Sequence, residues 1–151
     1  MANNYTQFSE AIDSITPEES TWIQKVLKET HGDEDANKLV DAELGLPSGE
    51  GLCNSYWPDF EWEMEEGMLW LHCEESYDEQ HLIRFVQAFI RKFRPDFVFA
   101  VTGACTCSHP RIGEFGGWWL VITADKVVGG NTWDAAKEAA AAAAAEAKVQ
   151  R

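Results

Sequence analysis

Long apolar runs are absent from this sequence: no stretch approaches the roughly 18 apolar residues of a membrane-spanning helix. The first six residues also lack the basic and apolar regions of a signal peptide. We therefore expect a cytoplasmic protein with no membrane partner. In that compartment the four cysteines are expected to be thiols rather than disulfides.

Motifs that specify a reaction or a metal are also scarce. There is no C-x-x-C pair, and no Lys-Ser or Lys-Thr follows the glycines at 113–117, which excludes a P-loop. No internal repeat is present. No motif in the sequence therefore specifies a reaction.

Basic residues are rare in the first half of the chain. Residues 1–79 hold 20 acidic and three basic residues, and residues 80–151 hold six acidic and nine basic ones, for a net charge of -14. Between Asp59 and Glu79 there are nine acids and no Lys or Arg. Because phosphate contacts need Lys and Arg, direct nucleic-acid binding is not expected. The expected partner is a basic protein surface, and the alternative is that the charge only keeps the protein soluble.

What is present is typical of a folded α+β protein, with 45% hydrophobic and 12% aromatic residues. We predict a single domain over residues 1–151. It has an antiparallel sheet of about five strands, with about three helices packed mainly on one face. The alternation in Phe60-Glu61-Trp62-Glu63-Met64-Glu65 indicates a half-buried strand with a solvated acidic face, and Glu66-Gly67 a hairpin turn. Together the predicted strands are residues 5–12, 60–65, 68–73, 97–102 and 117–123.

Capping signals mark where helices begin. In Thr16-Pro17-Glu18-Glu19, Thr caps the helix, Pro takes the first position and Glu19 completes a capping box. Ser76 and Glu79 have the spacing of a second capping box, and Pro95 ends that helix. Its basic residues Arg84, Arg91, Lys92 and Arg94 are expected to point outward or to favour the C-terminal end. The other helices are predicted over residues 33–44 and, rich in Ala, over about residues 132–149, after a glycine breaker at 129–130.

The segment from Cys105 to Trp119 concentrates side chains that can bind ligands. Cys105, Cys107 and His109 alternate, so an extended chain would place all three on one side, where zinc accepts thiolates and imidazole. Cys53, His72 or Cys73 would supply a fourth ligand. However, C-x-C-x-H is not a standard zinc spacing.

Two other interpretations of this loop stay open. In the first, Cys107 is a nucleophile, His109 its base and Arg111 an anion clamp, although neighbours two apart seldom have the required geometry. In the second, Pro110 and the glycines shape a long hairpin loop in which Arg111 and Glu114 pair. Arg111 and Glu114 are then its candidate binding residues.

Five segments of the chain carry a resemblance to a known family: Tyr5-Thr6-Gln7-Phe8-Ser9, Leu69-Trp70-Leu71, Phe85-Val86-Gln87-Ala88-Phe89, Phe93-Arg94-Pro95-Asp96 and Thr106-Cys107-Ser108-x-Pro110-Arg111-x-Gly113-Glu114-Phe115-Gly116-Gly117. In these segments the chain resembles a family of small uncharacterised proteins found in bacteria, their phages and mobile elements. The likeness extends to about residue 124. The family implies no established activity, and its members often carry Lys where this chain has His109 and no fixed Cys at the position of Cys105. It implies that Cys107, Arg111 and Glu114 belong to a shared structural or binding feature, and suggests accessory roles such as interference with a host factor.

Three functional hypotheses follow. The leading one is a non-enzymatic binding protein whose acidic strand (Glu61, Glu63, Glu65) engages a basic protein surface, with nucleic-acid mimicry as its extreme form. The second is a small enzyme or a ligand- or metal-binding protein centred on the loop. The third is a homo-oligomer that self-associates through apolar surface.

Overall fold

A computed structural model describes residues 3–46 and 56–150 of the chain. These residues form an α+β fold, as predicted, with six strands and four helices rather than about five and three. In chain order the elements are β1 (Asn4–Ile12), α1 (Pro17–Val26), α2 (Glu34–Glu43), β2 (Glu61–Glu65), β3 (Met68–Cys73), α3 (Glu79–Phe93), β4 (Phe99–Cys107), β5 (Gly116–Ile122), β6 (Val127–Asn131) and α4 (Thr132–Val149).

The strands form one antiparallel sheet in the order β2-β3-β1-β4-β5-β6. Strand β1 therefore lies in the centre, and β2 and β6 lie at the edges. The predicted hairpin of β2 and β3 is present, and Glu66 and Gly67 at its turn both have positive φ, as a tight turn of this kind requires.

Strand β6 corrects the interpretation of Gly129 and Gly130 as a breaker. A side chain added at Gly130 would lie 2.8 Å from Trp119 Nε1, and one added at Gly129 would lie 2.8 Å from Leu120 Cδ2. The glycines thus continue the sheet because large side chains of β5 occupy the space above them.

The predicted helix cap is present at α1, but the cap of α3 differs from the prediction. At α1 the Thr16 side chain accepts the Glu19 N–H, and the Glu19 side chain accepts the Thr16 N–H, which is the predicted capping box. The cap of α3 is Asp78 instead of Ser76, and its carboxylate accepts the Gln80 N–H at 2.9 Å. Asp78 lies immediately before the first helical residue, where a short acceptor meets the free N–H groups of the first turn.

The core lies on one side of the sheet, which we call the helix face. Alternate residues of the strands, such as Phe8, Leu71 and Val101, are buried there against Ile23 of α1 and Phe85 of α3. No described helix covers the other side, which we call the open face. Of the described helices, none combines the length and apolarity of a membrane span.

Helix α4 differs from the expected packing on the sheet. It has no buried residue, and its contact with the sheet is near its start, where the Trp133 ring occupies the space above Gly116. Its small Ala side chains offer little apolar area to bury, so intrinsic helix propensity and the Asn131 cap support it.

Candidate functional site

Three carboxylates line one side of the edge strand β2, and we call this row the acidic edge. Glu61, Glu63 and Glu65 are exposed, whereas Trp62 and Met64 between them turn toward the core. Successive carboxylates of such a row are about 6.8 Å apart along the strand. Because β2 pairs with β3 alone, its outer backbone groups have no strand partner within the sheet.

A row of larger side chains on β3 lies beside the acidic edge. In the register of the hairpin, Glu61 is opposite His72, Glu63 opposite Trp70 and Glu65 opposite Met68. His72 Nδ1 lies 3.2 Å from Glu61 Oε2, and its ring stacks on Trp70 with the ring centroids 3.9 Å apart. The acidic edge is therefore flanked by a half-buried indole that can pack against the stem and the charge of a Lys or Arg side chain.

Trp70 is held in place by a hydrogen bond. Its Nε1–H donates to Ser9 Oγ at 2.8 Å, across the β1–β3 pair. Below the acidic edge, a cavity of about 340 Å³ is lined by residues that include Glu29, Glu61 and His72. Three carboxylates, those of Glu29, Glu61 and Glu63, line it and make it suited to a cationic side chain.

The acidic segment predicted from the sequence is at the surface. Of the nine acids from Asp59 to Glu79, eight are exposed, and the ninth, Asp78, is the partly buried cap of α3. The strand residues that alternate onto the open face include the three Glu of the acidic edge and no Lys or Arg among the described strands. The field over this face and edge is therefore negative, which favours the approach of a basic partner.

The predicted loop is shorter than expected because β4 continues through Cys107 and β5 begins at Gly116. Cys105 and Cys107 are half-buried strand residues, and His109 is exposed beyond the strand end. Among the described residues no group of three or more His, Cys, Asp or Glu side chains is arranged to hold a metal ion. The structure thus does not bring Cys105, Cys107 and His109 together with another ligand, and Cys53 lies outside the described residues.

The expected pair of Arg111 and Glu114 is not formed. Within the described ranges no ion pair joins the two side chains, and they are linked only through their backbones, Glu114 N to Arg111 O at 3.5 Å. Arg111 is exposed and Glu114 is half-buried. No hydrogen bond joins Cys107 to His109 in the described part of the chain either, so the geometry does not favour a Cys–His nucleophile there.

The glycines of the loop motif have structural roles in this fold. Gly116 lies under the Trp133 ring, where an added Cβ would be 2.6 Å from Cζ2, and the Gly117 N–H donates to Thr132 Oγ1 at 2.9 Å. Gly113 has a φ of +78°, which favours glycine. These residues shape the loop and attach it to α4. At its tip Ile112 is fully exposed.

Among the three cysteines that the structure describes, Cys73 on the helix face is the most buried. Burial raises the pKa of Cys73, and its Sγ–H donates to Thr6 O at 2.9 Å. Thr6 Oγ1 also lies 3.9 Å from Cys105 Sγ. Burial likewise raises the pKa of Tyr77 well above its usual range, so its hydroxyl stays protonated. The raised pKa values of Cys73 and Tyr77 do not favour either group as an activated nucleophile.

One feature of the helix face has no counterpart in the sequence-based predictions. A groove of about 820 Å³ lies between α3 and strands β5 and β6, and Arg84 and Trp118 line it. Arg84 was expected to point outward but is half-buried. No sequence pattern predicts the groove, because the groove depends on how α3 packs against β5 and β6.

Comparison with known proteins does not assign the chain to a family. No family model matches the chain, and no curated protein or solved structure matches it at the significance required. The likeness to phage and mobile-element proteins therefore stays a prediction.

Proposed function

We propose that this protein is a non-enzymatic binding protein whose acidic edge docks a basic segment of another protein. The observation that carries the proposal is the row Glu61, Glu63 and Glu65 on an edge strand, exposed and facing one way. A partner strand that pairs with β2 would bring its own alternate side chains opposite these carboxylates.

The flanking residues explain why the partner would be basic rather than merely extended. Trp70 lies beside Glu63 and is fixed by Ser9, so a Lys or Arg side chain at that position would meet both a carboxylate and an indole face. The cavity next to Glu61 would accept a second cationic side chain. A surface that only keeps the protein soluble requires neither the fixed indole nor the cavity.

Two finer expectations remain part of this proposal. The protein acts in the cytoplasm as an accessory factor of a phage or mobile element, and its partner is a basic host protein. In the extreme form the carboxylates occupy a groove that otherwise binds nucleic acid. About 6.8 Å between successive carboxylates gives a regular row of negative charge for such a groove.

Capture of partners by the immobilised protein tests the proposal. The variant Glu61→Lys, Glu63→Lys and Glu65→Lys is compared with wild type and with a control that reverses Asp96, Glu138 and Glu146. Both triple variants change the net charge equally, and all six acids are exposed. We expect a basic protein to be captured by wild type and control and lost from the β2 variant. Equal capture by all three, or equal loss from both variants, would contradict the proposal.

Self-association is a second candidate, favoured by the opposite edge of the sheet. In β6 the side chains of Val127 and Val128 are 39% and 47% exposed, and the strand carries no charged residue. Uncharged edge strands pair readily with another copy. Val128→Lys should then convert a dimer to a monomer in light scattering, and a wild-type monomer at high concentration would contradict this candidate.

A further inference from the structure

The groove on the helix face is large enough for a small molecule. Residues of α3, β5 and β6 line it, together with Asp134 at the start of α4. Its volume of about 820 Å³ lies in the range of about 300–1,000 Å³ that small-molecule sites occupy.

Arg84 is an unusual cation in this groove. Of the Lys and Arg residues in the described ranges, only Arg84 and Arg94 are half-buried. Arg94 donates two hydrogen bonds to Glu19, whereas Arg84 forms no ion pair or hydrogen bond with a described residue. Its Nε atom is buried without an acceptor. A guanidinium that is partly desolvated and unpartnered is stabilised when an anion reaches it.

Trp118 of β5 adds an aromatic ring to the lining of the groove, and the Nε1 edge of this ring packs over Gly103. Trp118 Nε1 is buried with no hydrogen-bond partner. The Trp118 ring is fixed on one side by Tyr77, with the ring centroids 5.4 Å apart and the planes within 20°. The groove therefore combines the Arg84 guanidinium with a packed aromatic ring, among polar neighbours such as Gln80 and Asn131.

The charges around the groove decide which anion fits. Glu79 and Asp134 also line it, so a doubly charged anion would be repelled by two carboxylates while it gained one guanidinium. A monoanionic carboxylate balances Arg84 and adds less repulsion. We propose that this groove binds a small carboxylic acid with an aromatic or apolar body, whose carboxylate is held by Arg84 and whose body packs against the Trp118 ring.

Nuclear magnetic resonance of the ¹⁵N-labelled protein tests this proposal with benzoate as the probe and inorganic phosphate as the comparison. The Trp118 indole resonance is assigned from Trp118→Phe and the Arg84 Nε resonance from Arg84→Lys. We expect benzoate to shift both resonances saturably. We expect Arg84→Gln to weaken benzoate binding by about 10- to 150-fold, the range for loss of a hydrogen bond to a charged group. The control Lys28→Gln, an exposed cation outside the groove, should bind benzoate as wild type does.

Several outcomes would overturn the assignment. They are no saturable shift at millimolar benzoate, shifts caused by phosphate alone, or equal affinity of Arg84→Gln and wild type. Backbone resonances away from the groove show whether Arg84→Gln is folded, and Arg84→Lys provides a second variant. Because Lys keeps the charge but loses the planar fork of donors, its affinity should fall between wild type and Arg84→Gln.

Discussion

The ion pair of Glu19 and Arg94 joins the start of α1 to the end of α3, so removal of its negative charge should destabilise the fold. Arg94 Nε donates to Glu19 Oε2 at 2.8 Å, and Nη2 donates to Oε1 at 2.9 Å. The same Oε1 accepts the Thr16 N–H at 2.9 Å. The Glu19 side chain is 4% exposed and that of Arg94 is 23% exposed. Loss of the carboxylate charge would leave the guanidinium poorly solvated and without a counter-charge.

The expected cost follows from this burial. Removal of one partner from a buried ion pair costs about 3–5 kcal/mol. Arg94 keeps some water and its bond to Ser14 O at 2.8 Å, so we expect about 2–4 kcal/mol for Glu19→Gln. Domains are stable by about 5–15 kcal/mol, and each kcal/mol lowers Tm by about 2–4 °C at this size. The melting temperature should therefore fall by about 4–16 °C.

Urea titration followed by tryptophan fluorescence measures the effect. The midpoint for Glu19→Gln should fall while the slope of the free energy against urea stays constant. The control Glu18→Gln alters the neighbouring exposed carboxylate and should stay within about 0.5 kcal/mol of wild type. If the two variants unfold at the same urea concentration, the ion pair does not stabilise the fold as argued.

Acid provides a second test of the same pair. Burial alone would raise the pKa of Glu19, but the hydrogen bonds from Arg94 and Thr16 and the Arg94 charge together hold that pKa below its usual value of 4.5. The stabilisation is therefore complete above pH 4.5 and is lost as the pH falls through the lower folded-state pKa. Below pH 4.5, wild type should lose stability more steeply than Glu19→Gln.

Three smaller changes test other parts of the fold. Gly103→Ala places a Cβ 2.2 Å from the Trp118 ring and should cost at least about 1–3 kcal/mol in thermal unfolding; an unchanged Tm would show that the ring is not fixed there. Cys73, whose pKa burial raises, should react with iodoacetamide more slowly than Cys107, and equal rates by mass spectrometry would contradict its burial. Gly67→Ala, at a φ of +80°, should destabilise the hairpin by about 1 kcal/mol or more, and urea titration would show no loss if the turn were relaxed.

Local sequence patterns predicted the strands and turns that are determined by their own residues. The alternation of apolar and acidic residues over 60–65 predicted β2 and its exposed carboxylates, and the Glu66-Gly67 turn predicted its pairing with β3. Strand β6 was not predicted, because Gly129 and Gly130 resemble a breaker until Trp119 and Leu120 are placed across from them.

The site was predictable only in part for the same reason. Exposure of the acidic edge follows from periodicity, but its position at the edge of the sheet depends on the strand order, which no local signal contains. Arg84 has the helical spacing of an outward residue, and its lack of a partner becomes visible only when α3 is packed against β5 and β6. In the loop, closeness in sequence suggested a site that the structure does not form. Cys105 and Cys107 are close to His109 in sequence but belong to strand β4.

The acidic edge can be tested most directly with a short peptide that carries Arg at alternate positions, titrated against the ¹⁵N-labelled protein. We expect shifts at the β2 backbone and the Trp70 indole, and binding that weakens as salt rises. Each exposed ion pair contributes about 0.2–1 kcal/mol. Loss of three such pairs on reversal of Glu61, Glu63 and Glu65 should therefore weaken binding by about 3- to 150-fold, and repulsion by the new charges should weaken it further. Shifts located elsewhere, or an affinity that neither salt nor the reversal changes, would contradict the proposal.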